Sequence, residues 1–509
     1  MDNLSACPGR TLVADPPVHP IPRRMVYSRA SGRGGSRAEG AAALAGDHAV
    51  SVPACRRVDS LAPRTRLAPQ DQANPMTAVA TVPFLTELDP RLKIRGSRDP
   101  LGIQAVWATL GRQLVGNLTL VSSDIAGFRT LLIGYGLPGE DAPAAERLRI
   151  FLRWEQAAAA CRVAANDSAA PLGARRVRRA LDAGDALTIS EEPRHQILGD
   201  QRATGLWVLY NRAARTSGLV TENRRLTAAG RNVVEQWLAQ LEAEAASVLT
   251  AVRHTRRQEL TVMAEGDPTP EAARVAALLV EGTVTDRALL YRHLVQGIVG
   301  GASEPARGLA DGRQTQLAAL ISQRSLTAPL AMLVQALRAA AANHDDSGLA
   351  RRLEHILIVE TVLQPANAAL GALLQEGHGS TVTAVARRIG DAWPAVGSSV
   401  RASEFRAMVA PVLRTALGSQ RVRFWTDVAE AAAASRWTDA VRGLLALHEH
   451  TMLWRGSAPW VRLDVGDIID VRLREGSALS SQEELSEGEF NPYYLPPLLS
   501  LAGDLQEPA

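Results

Sequence analysis

Residues 173–231 carry eleven arginines (Arg175, Arg176, Arg178, Arg179, Arg194, Arg202, Arg212, Arg215, Arg224, Arg225 and Arg231) against six acidic residues (Asp182, Asp185, Glu191, Glu192, Asp200 and Glu222). This local excess of positive charge suits a polyanion, because each guanidinium set on a nucleic-acid phosphate releases a condensed counterion. Guanidinium is almost the only cation this chain has: Lys93 is the one lysine among 509 residues. That scarcity removes several chemistries together. Walker-type phosphate loops, Schiff-base enzymes, serine-lysine hydrolases and carboxylate-plus-lysine nucleases each need a lysine at a defined place, and none of their motifs surrounds Lys93. A GxSxG elbow, a Gly-rich dinucleotide fingerprint and an HExxH zinc helix are also missing from the sequence.

Histidine beside carboxylate is the next chemistry to weigh. Asn343-His344-Asp345-Asp346, with His293 before it and Asp391 after it, would loosely suit a metal phosphohydrolase, whose ligands must converge from two helices. The pair sits in a polar break ending at Gly348 and not on an apolar helix, so a helix-connecting loop is the simpler account. His448-Glu449-His450 precedes a hairpin bearing Asp464, Asp467 and Asp470. Histidines two apart diverge on a helix, and a helix C-terminus whose dipole favours imidazolium accounts for them without a metal. No catalytic residue, metal ligand or cofactor is assigned. Arg421-Val422-Arg423-Phe424-Trp425 interleaves cations with aromatics as single-strand-binding surfaces do, but Phe424 and Trp425 read better as core anchors at a helix start.

The elements that must position the arginines are legible in residues 204–231. Leu206, Leu209, Tyr210 and Ala213 recur at three- and four-residue spacing, predicting one helix with Arg212 and Arg215 on its outer face. Gly218 stops it in the left-handed conformation, with Leu219 folding back. Thr221-Glu222-Asn223-Arg224 is a polar turn between Leu219-Val220 and Arg225-Leu226, and Thr227 caps the next helix. Upstream, Val177 and Leu181 predict a helix from 173 to 184, and 192–199 a second short one. This order, "GLV, polar turn, RLTxxGR", resembles the winged-helix module of MarR-type regulators, over residues 173–238 only. The resemblance implies that Asn211, Arg212 and Arg215 face base edges in the major groove, while Arg224 and Arg225 in the wing grip phosphates.

Elsewhere the chain divides by composition. Residues 1–75 are a low-complexity, Pro-, Gly- and Arg-rich head, dispensable on this reading, with Met76 as the expected true start. A helical unit follows over 76–172. In it Asp99-Pro100 opens a helix through Ile103, Val106, Trp107, Leu110 and Leu114, with Arg95, Ser97 and Arg98 as candidate anion binders at its N-terminus. Residues 239–455 read as an alanine- and leucine-rich helical bundle or scaffold, and 456–509 as a hairpin (Trp460–Leu463 with Ile468–Leu473), an acidic loop and a docking helix at 497–501. No run reaches the roughly 18 apolar residues that cross a bilayer, so no membrane partner is expected. Cys7, Cys55 and Cys161 offer no disulfide framework, in keeping with a cytoplasmic location.

The expectation is therefore a mainly α, multi-domain helical protein with an embedded winged-helix-like unit and a C-terminal β-hairpin. Arginine use and alanine content fit a GC-rich bacterial genome. The function expected is a non-enzymatic, nucleic-acid-associated or scaffold subunit of a regulatory or defence system. Its partners would be double-stranded DNA and proteins encoded nearby. The rivals are a metal-dependent phosphohydrolase or lysine-lacking nuclease, and a protein-interaction adaptor.

Overall fold

The computed structural model describes residues 99–506 apart from 168–169, 185, 300–310, 324–327, 345–347, 377–378, 475 and 487. All of them belong to one compact unit, Pro83–Ala509. Arg95, Ser97, Arg98, the 1–75 head, Asp345 and Asp346 lie outside the described residues.

The fold is mainly α, with three small antiparallel strand pairs among the described residues. The first half comprises α1 (Ile103–Gly111), α2 (Ile125–Gly136), α3 (Ala144–Ala164), α4 (Ala174–Leu181), β1 (Ala186–Ile189), α5 (Gln201–Thr204), α6 (Leu206–Leu209), α7 (Asn211–Thr216), α8 (Ala228–Glu244) and α9 (Ala246–Arg253). Strands β2 (Gln258–Thr261), β3 (Met263–Ala264) and β4 (Asp267–Pro268) lead to α10 (Pro270–Val280), α11 (Val284–Leu290) and one π-helical turn, Tyr291–Val295. The second half has α12 (Arg313–Ser322), α13 (Leu330–Ala342), α14 (Leu349–Gln375), α15 (Val382–Ala392), α16 (Val396–Ser399), α17 (Ala402–Leu417), α18 (Ser419–Ala433) and α19 (Trp437–Trp454). The hairpin β5 (Val461–Asp464) and β6 (Ile468–Val471), then α20 (Gln482–Ser486) and α21 (Leu495–Leu505), close the chain.

Two long helices organise these elements. α3 is sheathed by α2, α4, α9 and α10. Its Phe151, Trp154, Ala157, Ala160 and Cys161 are wholly buried, and the alanines let neighbouring backbones approach. α14 lies against α13 and α17 and buries Leu353, Ile356, Val359 and Leu363. It spans 27 residues and is long and apolar enough to cross a membrane by length and composition, although two thirds of its most apolar stretch is buried within the protein. Glu360 and Gln364 interrupt its apolar run, so no uninterrupted apolar stretch marks it in the sequence. Core helices pass the same length test.

The first and last described helices tie the halves together. α1 packs on α17 and α14, whereas α21 packs on the π-turn, α12 and α2. One apolar core consequently runs from Leu101 to Leu505, and the compositional boundaries at 172, 238 and 455 leave no gap in it.

Several local expectations need correction. The first helix begins at Ile103 behind a left-handed Gly102 (φ 75°), not at Pro100. Asp99 reaches past that turn, its carboxylate accepting from Ile103 N at 2.7 Å and Gln104 N at 3.1 Å. Residues 192–199 form bends and turns in place of the expected short helix, and Arg176 donates to the Gln196 and Leu198 carbonyls there. The acidic loop contains α20, and the docking helix runs to Leu505. His448 lies inside α19, which continues to Trp454. It is fully buried, faces the Pro100 carbonyl through Nδ1 at 3.2 Å and accepts from Trp460 N through Nε2 at 2.9 Å. A ring so placed is neutral, and burial pushes its pKa down to about 4. The helix-end imidazolium reading is thereby overturned for His448.

Candidate nucleic-acid interface

The segment carrying the candidate residues folds as a helix pair, a glycine stop, a narrow turn and a third helix. The expected single helix bends at Tyr210, which divides α6 from α7. Tyr210 is drawn inward. Its ring stands edge-on to Phe128 at 5.0 Å between centroids and lies over Gly127, where an added Cβ would come within 2.8 Å of it. Leu206, Ala213 and Ala214 are buried beside it, leaving Arg212 and Arg215 exposed on the outer face. Gly218 takes φ 71°, Leu219 N returns to the Ala214 carbonyl at 3.0 Å, and Leu219 is wholly buried. This glycine stop closes α7 as the sequence implies.

The turn is minimal. Val220 and Leu226 form an isolated antiparallel bridge, and Thr221 N bonds the Arg225 carbonyl at 2.8 Å. β1 pairs instead with β2, and among the described residues no neighbouring strand supports the turn. Arg224 holds it in place from within, with φ 54° and its guanidinium 4.8 Å from the Trp207 ring centroid. Thr227 then caps α8, accepting from Gly230 N at 3.2 Å.

Arg147, from the first turn of α3, completes the cluster. It donates to the backbone carbonyls of Asn223 (3.4 Å) and Arg224, fixing the turn from behind. Burial, and then the neighbouring charges of Arg225 and Arg224, hold its pKa below the usual guanidinium range. Arg225 donates to the Glu140 carbonyl, whereas the Glu140 carboxylate pairs with Arg231 at 2.7 Å. Three guanidinium groups therefore converge on the turn with no carboxylate paired to any of them among the described residues. The turn flanks a cleft of about 280 Å³ lined by Tyr135, Arg147, Arg225, Leu226, Arg231 and Val234.

The five candidate residues are not equivalent. Arg212 is exposed, its guanidinium has no hydrogen-bond or ion-pair partner among the described residues, and it is near enough to Arg112 to lower the latter's pKa, second to burial among the lowering effects. Arg215 meets Glu222 only at 3.9 Å, with both side chains solvated, a geometry worth little. Arg225 is exposed beside the cleft. Arg224 is half-buried against Trp207 and serves the turn's own structure. Asn211 is half-buried too, its Oδ1 accepting from the Tyr135 hydroxyl at 3.2 Å. Arg147 had no local signal in the sequence, because 76 residues separate it from Asn223.

A buried polar network anchors the far end of α7. Asn117 Nδ2 donates to Ser217 Oγ at 2.9 Å and to the His293 and Leu294 carbonyls. Gln314 Nε2 donates to Asn117 Oδ1 at 2.8 Å. His293, within the π-turn, faces the Ser217 carbonyl through Nδ1 at 2.8 Å and so ties that turn to the end of α7. No group of three or more His, Cys, Asp or Glu arranged to hold a metal occurs among the described residues.

At the α1 N-terminus the amides of Ile103 and Gln104 are already taken by Asp99, which also pairs with Arg455 at 3.0 Å. No protein-family model, curated protein or solved structure matches the chain.

Proposed function

We propose that this protein is a nucleic-acid-associated subunit that meets duplex DNA through α7 and the turn after it, in the manner of a winged helix. Arg212 and Arg215 present guanidinium groups from the helix, and Arg225 presents one from the turn. Arg147 and Arg224 position that turn. The observation that carries the reading is the convergence of Arg147, Arg224 and Arg225 without a paired carboxylate. Mutual repulsion of this kind is relieved when a phosphate sits among the cations. The exposed pair on α7 extends the same positive surface along one helix face.

Charge reversal tests this directly. Arg212→Glu with Arg215→Glu, on solvated side chains, leaves the melting temperature within a degree or two of the parent and abolishes binding to a fluorescent 20-base-pair duplex at low salt. A parent chain that does not bind duplex, or a variant that binds as well as the parent, overturns the proposal.

A second reading, a protein-interaction adaptor, is favoured by exposed apolar side chains at the end of α19 and in the β5–β6 hairpin. Trp454 is 67% exposed and Val465 89%. Capture of a defined partner that is lost on Trp454→Ser and Val465→Ser, with no duplex binding by the parent, would favour that reading.

A further inference from the structure

α4 carries arginines that the contact through α7 and its turn does not use. Its sequence, Ala174–Leu181, holds four of them and no acidic residue. The helix packs on α3 and β1 and buries Ala174 and Val177, with Ala180 and Leu181 set against the same core. Gly173 enters it at φ 79°, so close to Ile197 that an added Cβ would lie within 2.8 Å. Arg176 donates to the Gln196 and Leu198 carbonyls and fixes the helix from its flank. The outer side of α4 is therefore held in one orientation on the body.

Arg175, Arg178 and Arg179 occupy that side. All three are exposed, and their helical spacing places them on one stripe. None has a hydrogen-bond, ion-pair or aromatic partner among the described residues. Asp182 continues the stripe as the C-cap, but it is exposed and pairs with none of them. Guanidinium groups at this spacing repel one another. The helix dipole favours Arg178 and Arg179 in the last turn and disfavours Arg175 in the first. Helix stability therefore does not select the set of three, whereas an anion laid along the stripe relieves both effects.

We infer that α4 is a second contact for duplex DNA, with Arg175, Arg178 and Arg179 on backbone phosphates in addition to those met by α7 and its turn. The contact rests on the reading of the chain as a duplex-binding protein, but on none of the residues that carry that reading. Charge complementarity without apolar contact points to a duplex backbone. A helix that grips a membrane inserts an apolar face, and the apolar face of α4 is spent on the protein, with only Leu172, 36% exposed, beside it. A protein interface has an apolar or aromatic centre, and this stripe offers guanidinium alone. Single strands are held by stacking on aromatic rings, and α4 has none. A duplex needs only cations, because release of its condensed counterions supplies the affinity.

Titration of the full chain with a fluorescent duplex over a range of salt tests this. Arg175→Ala, Arg178→Ala and Arg179→Ala together keep a good helix former at each position, so the melting temperature stays close to the parent's. This variant binds about tenfold or more weakly at low salt, with a log–log salt slope shallower by up to three steps of roughly 0.9. Arg175→Lys, Arg178→Lys and Arg179→Lys together keep the charges and restore both. The variant with Arg212→Ala, Arg215→Ala and Arg225→Ala is titrated beside them. Loss in that variant, with the α4 alanine variant at the parent's affinity and slope, overturns this inference and leaves the α7 contact standing. Loss in the α4 variant alone supports this inference and overturns the α7 contact. A parent that binds no duplex overturns both. A parent that binds phosphatidylserine vesicles instead, with that binding lost in the α4 variant, overturns the inference and gives the stripe to a membrane.

Discussion

Arg224 lays its guanidinium 4.8 Å from the centroid of the Trp207 ring, tying the turn after α7 to the helix before it. Trp207 in turn stands edge-on to Tyr135 and Phe151, at 5.3 and 5.0 Å between centroids. With only one backbone bridge across the turn, this aromatic stack and Arg147 set where its cations lie. Stacking on an aromatic face suits guanidinium better than ammonium.

Trp207→Ala should therefore weaken duplex binding although it removes no charge. It should also lower unfolding free energy by about 2 kcal/mol, below the range for fully buried tryptophan because Trp207 is only half-buried. Urea denaturation and duplex titration of the same variant measure both. Unchanged duplex affinity would show that the turn keeps its place without the stack.

Two buried titratable groups should pull stability in opposite directions with pH. Glu155, pushed up by burial from 4.5 to about 7, keeps its proton in the fold while the unfolded chain loses it. Its contribution is fully present below pH 4.5 and is lost as pH rises to 7, about 3 kcal/mol in all. His448, pushed down by burial from 6.5 to about 4, stays neutral in the fold while the unfolded chain takes up a proton. That group leaves stability intact above pH 6.5 and lowers it by roughly 3 kcal/mol as pH falls to 4. The two contributions nearly cancel in the parent, so between pH 4.5 and 7 Glu155→Gln should make stability rise with pH and His448→Gln should make it fall. Urea midpoints across that range measure the slopes, and parallel profiles for the two variants would contradict these assignments.

Much of this arrangement was legible in the sequence wherever the determinant was local. Gly218, Thr227 and the β5–β6 hairpin follow from caps, apolar spacing and turn residues within a few positions. Features set by distant partners were not. Tyr210 bends the helix because Gly127 leaves room for its ring, and Arg147 reaches the turn from another helix. His448 is neutral because Pro100 and Trp460 meet it from both sides. Asn211 looked like a base reader by position, yet Tyr135, 76 residues away, engages its oxygen. Spacing along one helix cannot reveal such pairings.

The junction beneath α8 and α11 rests on a buried ion pair. Arg129 donates to Asp286 at 3.1 Å, both side chains 1% exposed, and Trp237 Nε1 donates to the other carboxylate oxygen at 2.7 Å. Asp286→Ala should cost about 3 to 5 kcal/mol, since it leaves a buried guanidinium without its counter-charge and an indole N–H without its acceptor. Chemical denaturation measures it. A loss under 1 kcal/mol would mean that water reaches Arg129 once its partner is removed.

The central claim concerns α7 and its turn, and the salt dependence of duplex binding tests it most directly. Arg212→Ala, Arg215→Ala and Arg225→Ala together leave the positioning residues Arg147, Arg224 and Trp207 in place. Each phosphate contact steepens the log–log dependence of affinity on salt by roughly 0.9. The triple variant should bind duplex more weakly than the parent and with a slope shallower by up to three such steps, while its melting temperature stays close to the parent's. An unchanged slope and affinity, or a parent chain that does not bind duplex at low salt, would contradict the account.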